Sequence, residues 1–335
     1  MHPSPSPTFS PQRPIVSDET LGGRTVLVTG AAGFVGSHVV DALVAARAAV
    51  IATDSYHAGT VGNLSHHLGE IDVFDLDVRD AAAVDDAVGS RRPDLLIHLA
   101  ANADVPASVA DPRYDHATNA TGTFNVLDAI RRHSPGTRVV VASSAAVYGR
   151  PRSLPIGEDA PLAPISPYGA SKLAAEAAAR AYAETYGLAA SVARIFNSYG
   201  PRMPRYVVID FLHKLRRDPT RLEIIGTGAQ LRDLSYVSDT AHGLLTIGVG
   251  GAPGEAYNVC SGRSWTITEL AERLLTLLGL DAELSYTGTS WPGDVERFEG
   301  DPGKLAALGH VPSVGLDEGL SRVLEWFDTT VDSVA

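Results

Sequence analysis

The sequence predicts an α/β protein: a doubly wound parallel sheet followed by a smaller mixed α/β C-terminal lobe. Three observations predict it. Short runs rich in Val, Ile and Leu recur and are apolar straight through, as in strands buried on both faces. Helical stretches separate these runs, the pattern of right-handed βαβ crossovers. After Asn197 the pattern changes, and short strands mix with helices, glycines and prolines.

Taken in order, residues 1–22 hold five prolines with serines between them and no apolar period, which predicts a disordered arm. Strands are expected at 24–30 (RTVLVTG), 48–54, 71–77, 94–100, 138–144 and 189–196. Helices are expected at 34–46, near 80–88, at 115–132 and at about 168–186. Together these form a first unit over 23–197. A second, over 198–335, is expected to hold strands at 222–225, 256–259 and 283–286, with helices at 206–217, 239–248, 267–278, 303–308 and 316–327.

The composition excludes several classes. A chain of 335 residues, 44% hydrophobic, is neither a peptide nor a disulfide mini-protein. The single cysteine, Cys260, has no internal partner, which fits a reducing compartment. No apolar run approaches the roughly 18–20 residues of a membrane span, and MHPSPSPTFSPQRP lacks the pattern of a secretion signal. The expectation is a soluble, cytoplasmic protein. A net charge of −12 argues against nucleic acid or an anionic membrane as the main partner.

VLVTGAAGFVGSHVV places Gly30, Gly33 and Gly36 in the turn from the first strand into the first helix. There the backbone must turn sharply and approach a pyrophosphate, and the helix N-terminus offers N–H groups and a favourable dipole. This is the dinucleotide end of a Rossmann domain. Asp54, closing the second strand, suits ribose hydroxyls and repels a 2′-phosphate, so NAD is preferred to NADP. Asp77 falls where an adenine contact or a plain turn residue would sit.

Tyr168 and Lys172 lie four residues apart at a helix start, on one face. Chance gives about 0.1 such pairs in a chain with 11 tyrosines and three lysines. An adjacent ammonium and a cationic nicotinamide would both favour the phenolate, making Tyr168 a usable base. Ser144 ends the fifth strand, where its hydroxyl would orient a substrate oxygen. His98 reads as a buried, hydrogen-bonded strand histidine. His66-His67 has no partner at metal-ligand spacing, so no metal is expected.

With these residues the chain resembles the extended short-chain dehydrogenase/reductase family, in its nucleotide-sugar epimerase/dehydratase branch. The matching stretches are TGAAGFVGS, HLAA, NATGTFNVL, SSAAVYG, SPYGASKLAAE, RIFNSYGPR, RDLSYVSD and PGDVER, which run in order across nearly all of residues 24–330. The resemblance implies Ser144, Tyr168 and Lys172 as the catalytic trio. It implies Gly30, Gly33, Phe34, Val35, Gly36, Asp54, Asp77, Val78, Leu99, Ala100 and Ala101 as NAD contacts, joined by Tyr168 and Lys172, with Asn119 near the nicotinamide. Asn197 and Arg232 match contacts to a nucleotide diphosphate. The helices near 115–132 and 168–186 match those that pair across a homodimer.

In this branch the tyrosine takes a proton from a sugar hydroxyl, usually at C4, while hydride passes to NAD, giving a 4-keto sugar. Related hexose 4,6-dehydratases carry an Asp-Glu pair directly after the Ser or Thr, and the glucuronate decarboxylases a Glu at the second position. Here both are alanines, Ala145 and Ala146, which transfer no protons. The expectation is therefore a UDP-sugar 4-epimerase, with dehydratase or decarboxylase as the alternative. Readings of other kinds are a non-catalytic NAD-sensing module and a reductase of a free small carbonyl.

One departure is Trp291, where many relatives carry an arginine on the diphosphate. Arg297 is then a candidate replacement, and Trp291 either stacks on the ligand or packs. Arg202 and Arg205 are candidates for a phosphate or a sugar carboxylate, or are surface arginines; they keep UDP-glucuronate beside UDP-glucose and its N-acetyl relative.

Overall fold

In the computed structural model, which describes residues 17–289 and 295–332, the chain first folds into a run of alternating strands and helices. β1 (Thr25–Thr29), β2 (Ala49–Asp54), β3 (Asp72–Asp75), β4 (Leu95–His98), β5 (Arg138–Ser144) and β6 (Ala189–Ile195) are all parallel. Their order across the sheet is β3-β2-β1-β4-β5-β6. The order reverses between β1 and β4, so the carboxyl ends of these two strands open a crevice. The central strands are buried along their length, which is why they read as unbroken apolar runs.

Short strands make up the second unit: β7 (Asn197–Tyr199), β8 (Arg221–Ile224), β9 (Leu231–Tyr236), β10 (Ala256–Val259), β11 (Ser264–Thr266) and β12 (Glu283–Tyr286). β11, β9 and β7 form one sheet, and β12 pairs with β8. Helices Val207–Arg217, Ile267–Leu278 and Leu316–Asp332 enclose a separate core around Phe211, Leu222, Val237 and Leu274.

Three segments expected in the second unit return to the first, one of them the short helix Gly303–Ala306, whose Leu305 joins the first core. β10 adds to β6 as the seventh parallel strand, Val259 opposite Ile195. Helix Val237–Gly250 packs on the first sheet, with Leu244, Leu245 and Ile247 in the same core as Val26 and Ile97. The expected arm also ends earlier than residue 22: Asp18–Leu21 is helical and Leu21 is fully buried. An apolar Leu at the end of a polar stretch gives too little pattern to show this from sequence. Residues 1–16 lie outside the described residues.

Beneath β5 and β6, Arg194 and Glu176 form a buried bidentate pair, Nη2 to Oε2 2.9 Å and Nε to Oε1 3.1 Å. Ser143 Oγ donates to the same carboxylate at 2.5 Å, and Arg194 also donates to Tyr148 Oη at 2.9 Å. Removing one partner of such a pair leaves the other charge buried and uncompensated. Arg194→Ala is expected to cost about 3–5 kcal/mol, read as a lower denaturation midpoint in guanidinium unfolding.

Candidate active site

At the crevice, β1 ends and the chain turns through Gly30 into helix Phe34–Ala45. Gly30 has φ +71°, and a Cβ there would lie 2.6 Å from the backbone nitrogen of Ala100. A Cβ on Gly36 would lie 2.0 Å from Gly30 O. Gly33 is the helix N-cap and brings no capping side chain, so its turn presents N–H groups suited to an anion. Phe34 and Val35 open the helix and are half-buried. On the facing strand, Leu99 N–H donates to Thr29 O at 3.0 Å and Ala100 N–H to Thr29 Oγ1 at 3.3 Å, with Ala101 next in line.

Asp54 closes β2 beside this turn. Its Oδ2 accepts from Ala32 N–H (3.0 Å) and its Oδ1 from Tyr56 N–H (2.8 Å). Burial pushes its carboxyl up, and these backbone N–H groups oppose the shift. Val78 is buried and lies where a Cβ on Gly122 would come within 2.6 Å. Asp77 is engaged by Arg79, Nε to Oδ1 2.9 Å, which holds its carboxyl below the usual range.

Ser144, Tyr168 and Lys172 come together across β5 and helix Pro167–Tyr186. Ser166 caps that helix, accepting from Gly169 N–H at 3.1 Å, and Pro167 fits its first turn. A Cβ on Gly169 would lie 2.8 Å from Ala146 O, so glycine lets the helix start press against the end of β5. The Ser144 hydroxyl lies near enough to the Tyr168 phenol to favour its ionised form. Lys172 Nζ donates to Ala142 O at 3.0 Å and stands 6.0 Å from the centroid of the Tyr168 ring. Burial pulls Lys172 down to about 8, with Asp115 and Glu176 opposing. Burial pushes the Tyr168 phenol up, and the Ser144 hydroxyl opposes it. Without a bound cation, then, the tyrosine is a weaker acid than usual.

Asn119 sits in a π turn, Ala117–Thr121, and is buried. Its Oδ1 accepts from Asn102 N–H at 2.8 Å, while its Nδ2 lies within reach of Asp115 Oδ1 (3.1 Å) and Ser171 Oγ (3.0 Å). Asn119 thus ties the loop after β4 to the Tyr168 helix. Asp115, fully buried, accepts from Ser171 Oγ at 2.6 Å and from Asn102 Nδ2 at 3.0 Å. Sequence reasoning missed Asp115, Ser171 and Glu176. The last of these carried a signal, lying four residues after Lys172 on the same helix face.

The second unit lines the other side. Ser144 is opposite Ile195 in the β5–β6 register, and Asn197, exposed, begins the next strand. Asn197 pairs with Leu234 on β9, two residues beyond Arg232. Arg232 is largely buried, donating to Val295 O at 2.8 Å, and Arg297 is exposed on the segment bridged to Leu231. Trp291 lies outside the described residues.

Arg202 is drawn to Asp41 on helix Phe34–Ala45 and donates to Asn63 O at 3.1 Å. Arg205 is half-exposed, pairs with Asp104 at 2.6 Å and stacks over Tyr206. Tyr206, also missed from sequence, has φ +83° and donates to Ala103 O at 2.6 Å. It is near enough to push the Tyr168 phenol further up.

His98 is buried between Thr29 Oγ1 (2.8 Å) and Thr123 Oγ1 (3.0 Å), and burial lowers it to about 3, so it stays neutral. His66 and His67, expected to have no partner, both meet Asp41; the fold brings it from a helix 25 residues earlier.

Two outcomes follow from this geometry. A left-handed backbone costs an L side chain about 1–2 kcal/mol, or about tenfold in affinity, before any clash. Gly30→Ala is therefore expected to weaken dinucleotide binding by at least that factor in a fluorescence titration. In cofactor-free protein, the tyrosinate absorbance difference between wild type and Tyr168→Phe is expected to stay flat through the ordinary tyrosine range near pH 10 and to rise above it.

Comparison with known proteins agrees with this geometry. The family model described as GDP-mannose 4,6 dehydratase matches residues 27–323. A putative UDP-glucose 4-epimerase of Methanocaldococcus jannaschii is 33% identical over 305 residues, covering 90% of this chain and 97% of that protein. The structure of a UDP-glucose 4-epimerase from Thermotoga maritima, solved with UDP-glucose, superposes with a TM-score of 0.86 at 33% identity, covering 92% and 99%. A dTDP-glucose 4,6-dehydratase from Streptomyces venezuelae, solved with NAD, gives a TM-score of 0.84 at 32% identity, covering 92% and 98%. The close approach at Gly30, the uncapped helix N-terminus and the Asp54 carboxylate fit NAD, the cofactor of these enzymes. The chain belongs to the GDP-mannose 4,6-dehydratase-like family, the NAD-dependent extended short-chain dehydrogenase/reductase enzymes that act on nucleotide sugars.

Proposed function

We propose that the chain is a UDP-sugar 4-epimerase that works through a transient 4-keto sugar and recycles its NAD. The carrying observation is Ala145-Ala146, directly after Ser144. Neither side chain transfers a proton, so the acid–base work that elimination or decarboxylation requires has no group there. Epimerisation needs one base and room for the sugar to turn over.

Bound NAD supplies a reversible acceptor for the C4 hydrogen and its electron pair. The rest is the work of this chain's residues. Ser144 hydrogen bonds the C4 oxygen and aims it at Tyr168. The Tyr168 phenolate takes the hydroxyl proton as the ketone forms, and returns it after the ring has turned its other face. Lys172, whose burial-lowered value of about 8 leaves it mostly charged at neutral pH, supplies the positive field that favours the phenolate. Asn197, Arg232 and Arg297 are assigned to the nucleotide diphosphate.

For the sugar, UDP-glucose/UDP-galactose and UDP-glucuronate/UDP-galacturonate both stand. The hexuronate reading rests on Arg205, half-exposed beside Tyr206, whose 2.6 Å pair with Asp104 a sugar carboxylate would have to displace. Arg202 is committed to Asp41, which argues against a role on the sugar. A dehydratase remains the second reading, because dTDP-glucose 4,6-dehydratases are among the relatives at similar identity. A cofactor-sensing module without catalysis would have no use for a base, which argues against that reading of Ser144, Tyr168 and Lys172. A homodimer is part of the proposal: exposed Phe124 and Tyr186 flank Tyr182 on the helices assigned to the interface. Among the described residues no helix is long and apolar enough to cross a membrane.

The test is incubation with each UDP-sugar and catalytic NAD, followed by mass spectrometry and proton NMR. A product of unchanged mass with inverted C4 coupling is expected, and Tyr168→Phe is expected to lower turnover about 10²–10⁴-fold with the fold intact. Loss of water or carbon dioxide would overturn the reading of Ala145 and Ala146.

A further inference from the structure

His66 and His67 end the 3-10 turn Val61–His67, at the back of helix Phe34–Ala45. In such a turn successive side chains diverge by roughly 120°. Here the two rings instead converge, with centroids 4.2 Å apart, and both aim Nε2 at one oxygen. That oxygen is Asp41 Oδ1, at 2.8 Å from His66 and 3.1 Å from His67, and the three donor atoms all lie within 4.8 Å of one another.

The second oxygen of the carboxylate, Oδ2, is held by Arg202 Nη2 and lies 3.7 Å from His38 Nδ1, while Arg202 Nη1 makes a long 3.5 Å contact to Oδ1 and donates to Asn63 O. The two shortest contacts to Oδ1 come from the imidazoles, and the arginine orients the carboxylate as outer hydrogen bonds orient a ligating one. Nδ1 of His67 is buried with no hydrogen-bond partner, so the ring is positioned from its Nε2 side. His66 is half-exposed, which leaves an open approach from solvent.

We propose that Asp41 Oδ1, His66 Nε2 and His67 Nε2 form a binding site for one transition-metal dication, with water completing the shell. Ligands about 2.0–2.1 Å from a tetrahedral ion stand roughly 3.3 Å apart. The observed 2.8 and 3.1 Å contacts to Asp41 therefore need to open by a few tenths of an ångström, and the two imidazole nitrogens, within 4.8 Å of each other, settle to the same spacing. Two imidazoles and one carboxylate select zinc, cobalt or nickel over magnesium or calcium. The site is separate from the Ser144–Tyr168–Lys172 trio and takes no part in its chemistry. It fastens helix Phe34–Ala45 to the 61–67 turn and, through Arg202, to the segment that carries Tyr206.

The experiment uses untagged, chelator-treated full-length protein titrated with Co²⁺, followed by its visible tetrahedral absorption, and then with Zn²⁺ as competitor. One equivalent of Co²⁺ is expected to bind, to be displaced by Zn²⁺ and not by Mg²⁺, and to raise the melting temperature. His66→Ala, at the more exposed ligand, and His67→Ala are each expected to weaken binding at least tenfold, with circular dichroism confirming that the variants are folded. The proposal is overturned if no saturable equivalent binds, or if the folded His66→Ala protein binds Co²⁺ as tightly as wild type.

Discussion

Two backbones pass closer at Gly30 and Ala100 than any side chain permits, and the site is built around that contact. It occurs where the strand order reverses, between β1 and β4. A Cβ at this point would drive the strand ends apart and move the first helix away from the crevice. Because the contact holds, the helix N-terminus, the Asp54 carboxylate and the loop after β4 face one space. That space suits NAD, the cofactor of the family.

The second constraint is polar and buried. Asp115, Asn119, Asn102 and Ser171 share hydrogen bonds that join the β4 loop to the helix carrying Tyr168 and Lys172. Behind the trio, Ser143, Glu176, Arg194 and Tyr148 form another chain of bonds. Networks of this kind are costly when incomplete and rigid when satisfied. The loop after β4 and the helix carrying Tyr168 and Lys172 are thereby fixed to one another.

Much of this was legible in the sequence. Helix 267–278 and strands 138–144, 256–259 and 283–286 fall where apolar runs and punctuation place them. The glycines of the first turn and the Tyr168–Lys172 spacing are local signals, and the fold brings them to the same crevice. What escaped was non-local. β7, β9 and β11 are short and carry polar residues such as Asn197, Arg232 and Ser264, so no apolar run announces them. The place of β10 in the first sheet depends on a partner, β6, some sixty residues earlier. Arg202 looked like a ligand residue because Asp41 is remote in sequence, and the same carboxylate gave His66 and His67 a partner that spacing did not show. Asp77 was legible as a turn residue as much as an adenine contact, and Arg79 occupies its carboxylate.

The return of helix Val237–Gly250 and β10 to the first sheet also bears on movement. The chain crosses between the two units near residues 196, 236 and 260, and again on either side of the short helix Gly303–Ala306, which packs on the first core. A hinge needs few connections that flex together, whereas here the units are stitched at several points. A change in the angle between the two units would therefore have to bend several crossings at once, which favours a crevice whose two sides keep their spacing.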